Sequence, residues 1–545
     1  MPLLVAIPLA GGFLMPLVAR LTGARRSAAA LPILLAAGLL ALAVWLLLAA
    51  REPIVYWVGG WTFPVGISLV ADGLSRLMVV VVAVISLVAL VFSVDYMARF
   101  TSPGLYYTLF LLMLAGMNGV VLSGDLFNIF VFLEVAGIAS YALVAFGTES
   151  DELEAGFKYL VLGTIASTFI LVGIALVYNV TGHLNWAKVG EAITAAGGPT
   201  LPIYVAAAFF LMGFGLKAAM VPFHAWLPDA HPSAPAPISA MLSGVLIKAS
   251  GVYVLARLVF SVFDGDAGLG WVLVVLGTLS MVLGGLMAIG QGDFKRLLAY
   301  SSISQVGYVV LAFGAAAVMR ARGMEQAAVG LAVFGGLFHL VNHAVSKSLL
   351  FLCSGSVEYA TGTRQLDRLG GLGGRMPVTA ACLRVGALSI SGVPPLGGFW
   401  SKLIIIIALA YMAVRGHWAF YIPTALAVAT AAVTLVYYAK VQRFVLDGEP
   451  SETVLRAREV PFGMRAATLV LAVLCFATAL LVVPAIRDRV VTPATEIVLG
   501  GAEAGRGGRT ITVERKPAPP PAQAAADAPA QTIRLQDGTR QGETP

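Results

Sequence analysis

The sequence predicts an all-α, polytopic membrane protein of about 14 transmembrane helices. Two observations carry that prediction. Of 545 residues, 59% are hydrophobic and only 12% are charged, where a soluble domain carries about 25% charged residues. The mean hydropathy is +0.90, and the apolar residues fall into runs of about 20, the length of a bilayer crossing. There is too little polar surface to cover a water-soluble globule. A soluble enzyme, a nucleic-acid module and a secreted disulfide scaffold are therefore excluded. The net charge of +7 is read loop by loop as a topology signal.

The runs lie near 2–19, 29–50, 70–94, 105–123, 126–147, 158–180, 201–226, 236–260, 270–290, 297–316, 326–354, 377–414, 418–442 and 464–485. The first lacks a basic flank, so no cleavable leader is expected. The run at 377–414 is too long for one straight crossing and contains Pro394-Pro395. A break is expected there, because proline has no N–H and clashes with the preceding turn. Residues 51–68 hold several aromatics and read as an interfacial loop. Residues 486–545 are rich in proline and alanine and read as a disordered tail.

Arginine and lysine are unevenly shared between the loops. Arg20, Arg25, Arg26, Arg99, Lys158, Lys295, Arg296, Arg364, Arg368, Arg375, Lys440, Arg443, Arg456, Arg458 and Arg465 fall on one side. Arg51, Arg76, Lys188, Arg257, Arg320, Arg322 and Arg415 fall on the other. The positive-inside rule places the first side in the cytoplasm and both termini outside a cell (inner) membrane.

The informative residues are the ionisable ones deep in apolar runs: Glu134, Lys217, Lys248, Lys347 and Lys402. Each costs about 2.5–3.5 kcal/mol at a helix centre, so five cost on the order of 15 kcal/mol unless paired or hydrated. They are expected to face one another or water. Lys217 is followed by Pro222, which frees the carbonyl of Ala218. Lys402 follows Pro394 and Pro395, which free the carbonyls of Ile390 and Ser391. Two broken crossings, each with a buried lysine, are the form in which transporters build ion sites. A kinked structural helix with a snorkelling lysine is the plainer alternative.

Glu134 is the one acid deep in a run and is a candidate partner for a lysine, as a movable gate or as a static ion pair. Lys248 lies about half way along its run. His339, His343 and Lys347 recur every fourth residue and share one helix face, the pattern a water-assisted proton wire needs. His224, Asp229 and His231 lie at a run's end, as a proton inlet or as solvated loop residues. Tyr300, Ser301, Ser302, Ser304, Gln305 and Tyr308 suit hydrogen bonding between helices. Cys353, Cys382 and Cys475 form no CxxC, and no Cys/His cluster or dinucleotide fingerprint is present. No metal, redox cofactor or catalytic residue is expected in this chain.

GDLFNIFVFLE, GLKAAMVPFHAWLPDAH, DFKRLLAYSSISQVGY, HAVSKSLLF and SGVPPLGGFWSK together resemble the antiporter-like subunits of complex I and its relatives. Within that superfamily, MLAGMNGVVLSGDLFNIFVFLEVAGIASY is most similar to the D subunits of Mrp-type Na+/H+ antiporters. The resemblance covers residues 60–445. It implies two inverted five-helix repeats, helices 4–8 (residues 104–262) and 9–13 (residues 268–444), with broken helices 7 and 12. Helices 1–3 (residues 1–100) would precede them, and a loop with helix 14 (residues 445–485) would follow. It makes Lys217 and Lys402 pseudo-equivalent and Glu134 with Lys217 the gating pair. Lys248 and the His339–Lys347 stripe would connect these to Lys402. The implied function is proton translocation within a hetero-oligomeric membrane complex, with H+ and, there or in another subunit, Na+ as transported ions. The alternative is a proton-pumping subunit of NADH-quinone oxidoreductase or of a membrane-bound hydrogenase. A solitary carrier or a purely structural subunit ranks below both.

Overall fold

The computed structural model describes residues 1–22, 27–49, 52–500 and 509–511. Among these residues, thirteen helices are long and apolar enough to cross a bilayer. In chain order the helices are α1 (Leu3–Thr22), α2 (Ala30–Ala49), α3 (Gly73–Tyr96), α4 (Pro103–Leu122), α5 (Leu126–Val144), α6 (Ser150–Thr181) and the short α7 (Trp186–Ala195). A broken crossing follows, α8 (Leu201–Lys217) and α9 (Leu227–Ser233). Next come α10 (Ala236–Val262), α11 (Ala267–Ile289), α12 (Phe294–Ala321) and α13 (Gln326–Thr361). A second broken crossing is formed by α14 (Pro377–Ser391) and α15 (Gly397–Val414), followed by α16 (Tyr421–Val445) and α17 (Phe462–Ala477). Counting each broken pair once gives the fourteen crossings that the sequence predicts.

The repeat is visible in the joints. Asp125 caps α5, accepting from Asn128 N at 2.9 Å, and Asp293 caps α12, accepting from Arg296 N at 2.9 Å. Leu126 N donates to Leu184 O at 2.9 Å, and Phe294 N donates to Arg364 O at 3.0 Å. Antiparallel bridges join Asp125 to Asn185 and Asp293 to Gln365. Both long helices, α6 and α13, end on a left-handed glycine, Gly182 (φ 69°) and Gly362 (φ 72°), which closes the last turn without a Cβ penalty. Five crossings separate the two joints, so they lie on opposite faces and the repeats are inverted.

The core sits where the repeats meet. α12 is buried throughout its hydrophobic window and α10 nearly so, whereas α2 and α16 turn most of their surface outward. Outward residues such as Phe13, Leu34, Trp45 and Leu435 are large and apolar, as a lipid-facing surface requires.

Three expectations are corrected. A small three-stranded sheet, in the order β2-β1-β3, interrupts the otherwise helical fold. It is built from β1 (Ile54–Trp57), β2 (Ser68–Ala71) and β3 (Arg509–Ile511), the first two within or beside the expected interfacial loop. The expected tail from 486 is helical over its first residues. α18 (Pro484–Val490) and α19 (Thr492–Gly500) are helical, and Val491, Ala494, Thr495 and Val498 are buried at i, i+3, i+4 and i+7, the spacing of a packed face. α19 lies so close to the start of α3 that a Cβ on Gly73 would collide with the backbone of Pro493. Of the remaining tail, residues 501–508 and 512–545 lie outside the described residues. Finally, Arg76, Arg257 and Lys295, assigned to loops from the sequence, are buried. Arg257 pairs with Asp72 at 2.5 Å and Lys295 with Glu358 at 3.1 Å. Their charges are compensated inside the protein and report nothing about loop orientation.

Candidate functional site

The seventh crossing breaks earlier than Pro222 alone requires. α8 ends at Lys217, and the chain reverses its turn through Ala219, whose φ is +55°. That conformation is disfavoured for alanine. The surroundings hold it: Met220 N donates to Gly215 O at 2.9 Å, Val221 N to Ser280 Oγ at 2.9 Å and Trp226 Nε1 to Leu216 O at 2.9 Å. α10 passes directly beneath, since a Cβ on Gly251 would stand 2.5 Å from Ala218 N.

Lys217 Nζ donates to Tyr141 Oη at 3.1 Å, and not to the carbonyl of Ala218. Glu134, half-buried on α5, accepts from the Ser167 hydroxyl of α6. Among the described residues Glu134 and Lys217 form no contact ion pair, and each is held by a hydroxyl. Tyr141 lies seven residues after Glu134, two turns along the same face. Its ring meets Tyr159 edge-on at 4.5 Å, and Tyr159 stacks on Trp226 at 4.1 Å. Tyr141 and Ser167 were not singled out from the sequence; the i+7 spacing from Glu134 was the available signal for Tyr141.

Lys248 is fully buried and donates to the carbonyl of Ser243. α10 widens into π-turns at Leu242–Leu246, Lys248–Val252 and Leu258–Val262, a distortion frequent at functional sites. The hydroxyls of Ser243 and Ser302 meet at 2.7 Å, and Ser302 donates to Leu298 O at 2.9 Å. Lys347 Nζ donates to the same carbonyl at 2.9 Å and to Tyr438 Oη at 3.0 Å. Ser301 bridges Tyr438 and Tyr437 at 3.0 and 2.8 Å.

His339, His343 and Lys347 are fully buried on α13, and the two imidazole rings lie nearly parallel with centroids 6.3 Å apart. His339 Nε2 meets Gln305 Oε1 at 3.2 Å, an atom that can only accept. With Nε2 donating to that oxygen, Nδ1 faces the Ser401 hydroxyl, 3.0 Å away. Neither nitrogen of His343 has a partner among the described residues, the kind of buried group that ordered water satisfies.

At the twelfth crossing, α14 ends at Gly392 (φ 85°) and α15 begins at Gly397. Lys402 Nζ donates to Ile390 O at 2.9 Å, the carbonyl that Pro394 leaves without an N–H. Its ammonium also lies 5.0 Å from the centre of the Tyr308 ring, a cation–π distance. The break depends on Gly398, where a Cβ would collide with the carbonyl oxygen of Ser389. Gly398→Ala is expected to cost about 3 kcal/mol through overpacking against backbone, read as a lower unfolding temperature of the purified protein.

His224, Asp229 and His231 do not act as one group. Asp229 is paired with Lys158 at 3.2 Å and Arg296 at 3.5 Å, lining a cavity of about 900 Å3. His231 is fully buried and stacked on Phe351 at 4.3 Å. His224 is half-buried, 6.5 Å from the Tyr300 ring.

Residues 123–430 match the transmembrane family described as NADH:quinone oxidoreductase/Mrp antiporter, and residues 57–107 match the N-terminus of NADH-ubiquinone oxidoreductase (complex I) chain 5. The N subunit of NADH-quinone oxidoreductase from Desulforudis audaxviator is 38% identical over 80% of this chain and 84% of its own length. The D subunit of the Na(+)/H(+) antiporter from Alkalihalophilus pseudofirmus is 36% identical over 73% of this chain and 76% of its own. In the solved Mrp complex from Dietzia sp., one chain superposes with a TM-score of 0.80 at 28% identity, covering 92% of this chain and 96% of that one. With more than half of its length inside the first match, the chain belongs to the NADH:quinone oxidoreductase/Mrp antiporter transmembrane family.

Proposed function

We propose that this chain is the proton-translocating, antiporter-like subunit of a multisubunit membrane complex, equivalent to the D subunit of an Mrp antiporter. The observation that carries the reading is the burial of a lysine at each helix break, Lys217 and Lys402, together with Lys248, Lys347, His343 and His339 in the helices between them along the chain. A buried lysine either keeps its proton beside an acceptor or loses it when the acceptor moves away. Here each lysine faces carbonyl or hydroxyl oxygens, and among the described residues none faces a contact carboxylate. Each lysine can therefore give up its proton without breaking an ion pair. The Ser243, Ser302 and Leu298 contacts join Lys248 to Lys347, and Ser401 joins His339 to the break that holds Lys402. Glu134 approaching Lys217 through Ser167 and Tyr141 would set when the first lysine is charged. The arginine- and lysine-rich loops would lie on the inner face, with both termini outside the cell membrane; removing the three buried cations leaves the bias in the same direction.

Transport by the assembled complex in vesicles tests this. Lys217→Ala is expected to lower proton-coupled Na+ movement by at least about 100-fold, the scale of losing a positioned acid–base group. An assembled Lys217→Ala complex with the wild-type rate would defeat the reading.

The second reading is a pumping subunit of NADH-quinone oxidoreductase, favoured by the Desulforudis relative. The line would be the same and the driving force different. Affinity purification in mild detergent separates them. Small hydrophobic subunits alone indicate the antiporter, and co-purified flavin or iron–sulfur subunits indicate the redox enzyme.

A further inference from the structure

A second polar column lies apart from the lysine line, between α13, α14 and α17. Three helices contribute to it at helical spacing. α14 presents Thr379, Cys382 and Ser389, α13 presents Asn342, Ser346 and Cys353, and α17 presents Thr468 and Cys475, with Thr478 just beyond its end. All nine are buried, and none is used by the line through Lys217.

The column has two defined ends. At the loop end, half-buried Glu459 accepts from the Thr379 hydroxyl at 2.6 Å and from Val378 N at 2.9 Å. Cys382 comes next, one turn further along α14, beside the Thr468 hydroxyl of α17. The column narrows at Gly386, which faces Leu349 and Leu350. Above that, Ser346 meets Ser389 at 2.9 Å and Cys475 at 3.6 Å. Asn342 closes the far end, its Oδ1 accepting from Ser389 at 3.2 Å and from Thr478 at 3.3 Å. Its Nδ2 has no partner among the described residues, although the residue is fully buried. That nitrogen faces Gly398 in the break, and the next residue after Ser389, Ile390, is the one whose carbonyl holds Lys402.

We propose that this column is a second proton path, running from Glu459 at the inner face to Lys402. It rests on the proton-transport reading above and extends it. Serine and threonine hydroxyls donate and accept at once, and thiols do so weakly. A proton leaving the Glu459 carboxyl is passed from hydroxyl to hydroxyl, with water at the unpartnered amide, and is taken up by the Lys402 amine. Leu349 and Leu350 at Gly386 form the apolar constriction that prevents a standing leak. Packing alone explains the hydroxyls. It does not explain a fully buried amide aimed without a partner into the break.

The native thiols supply the test. The assembled complex in sealed vesicles of each orientation is treated with a small, charged, membrane-impermeant methanethiosulfonate, and modified cysteines are located by mass spectrometry. Cys382 is expected to react from the inner face only, and its modification to slow transport; a Cys382→Ser complex, measured against its own untreated rate, is expected to show no slowing on treatment. Glu459→Gln keeps the oxygen that caps α14 and removes the exchangeable charge, so it is expected to slow turnover by about tenfold without loss of assembly. An unreactive Cys382 in vesicles where an exposed Arg458→Cys control is labelled would overturn the path. So would a Glu459→Gln complex with the wild-type rate, even if Cys382 reacts. A wild-type complex that moves no protons sinks the parent reading. Labelling does not depend on transport, so the two failures can be told apart.

Discussion

Replacing Lys402 with arginine is expected to give a complex that assembles and does not transport. The two cations are not equivalent here. Lys402 Nζ reaches the single carbonyl of Ile390 across the break and lies against the Tyr308 ring. An arginine can keep the charge in that place and satisfy the same oxygen. It cannot release its proton at any physiological pH. If Lys402 only balances charge or orders the break, Lys402→Arg should work. If it carries a proton, turnover should fall by about 100-fold or more, as far as in Lys402→Ala. Transport in vesicles, normalised to the assembled complex, decides between them. Activity of the arginine variant within a few-fold of wild type would reduce Lys402 to a structural cation.

The largest stability effect is expected at a pair that takes no part in the transfer line. Asp72 caps α3, accepting from Ser75 N at 2.9 Å, and its carboxylate holds Arg257 at 2.5 Å. Both side chains are almost completely buried. The Arg257 guanidinium is enclosed by Trp186 at 5.0 Å and Tyr253 at 5.2 Å. The pair ties the start of α3 to α10 from the first repeat. Asp72→Ala would leave the guanidinium buried and uncompensated, which costs about 3–5 kcal/mol. The helix cap is lost as well, adding about 1 kcal/mol. Thermal unfolding of the purified variant is expected to show this as a marked loss of stability. Removing both charges, in Asp72→Ala with Arg257→Met, should recover part of it, because no unpaired charge remains. A double variant no better than Asp72→Ala would mean that capping, and not the ion pair, dominates.

The legibility of this molecule in its sequence was uneven, and the unevenness has physical causes. Hydropathy is a local property, so the crossings were readable from runs of apolar residues. Proline's missing N–H is also local. It identified the break at Pro394-Pro395 and the carbonyl of Ile390 that Lys402 uses. The spacing of His339, His343 and Lys347 is a property of one helix, and the three do share a face. The chain thus determined by itself which crossings are broken and which charges lie deep inside them.

What connects those charges was decided only by packing. Ser167, Tyr141, Ser302, Tyr438 and Ser401 are ordinary residues of apolar helices until another helix brings a lysine, a glutamate or a histidine to them. The separation of Glu134 from Lys217 depends on where α5, α6 and α8 cross, and no spacing within one helix encodes it. Arg257 looked like a loop cation, because nothing local announces Asp72, 185 residues away. The helix at Thr492–Gly500 was hidden by the proline- and alanine-rich sequence after it. Its apolar face is short and is held by packing against α3, α13 and the end of α10. Composition and spacing act along the chain, whereas a buried charge is made tolerable by partners from elsewhere in it. The tertiary structure therefore decided the wiring between sites whose positions the sequence had already disclosed.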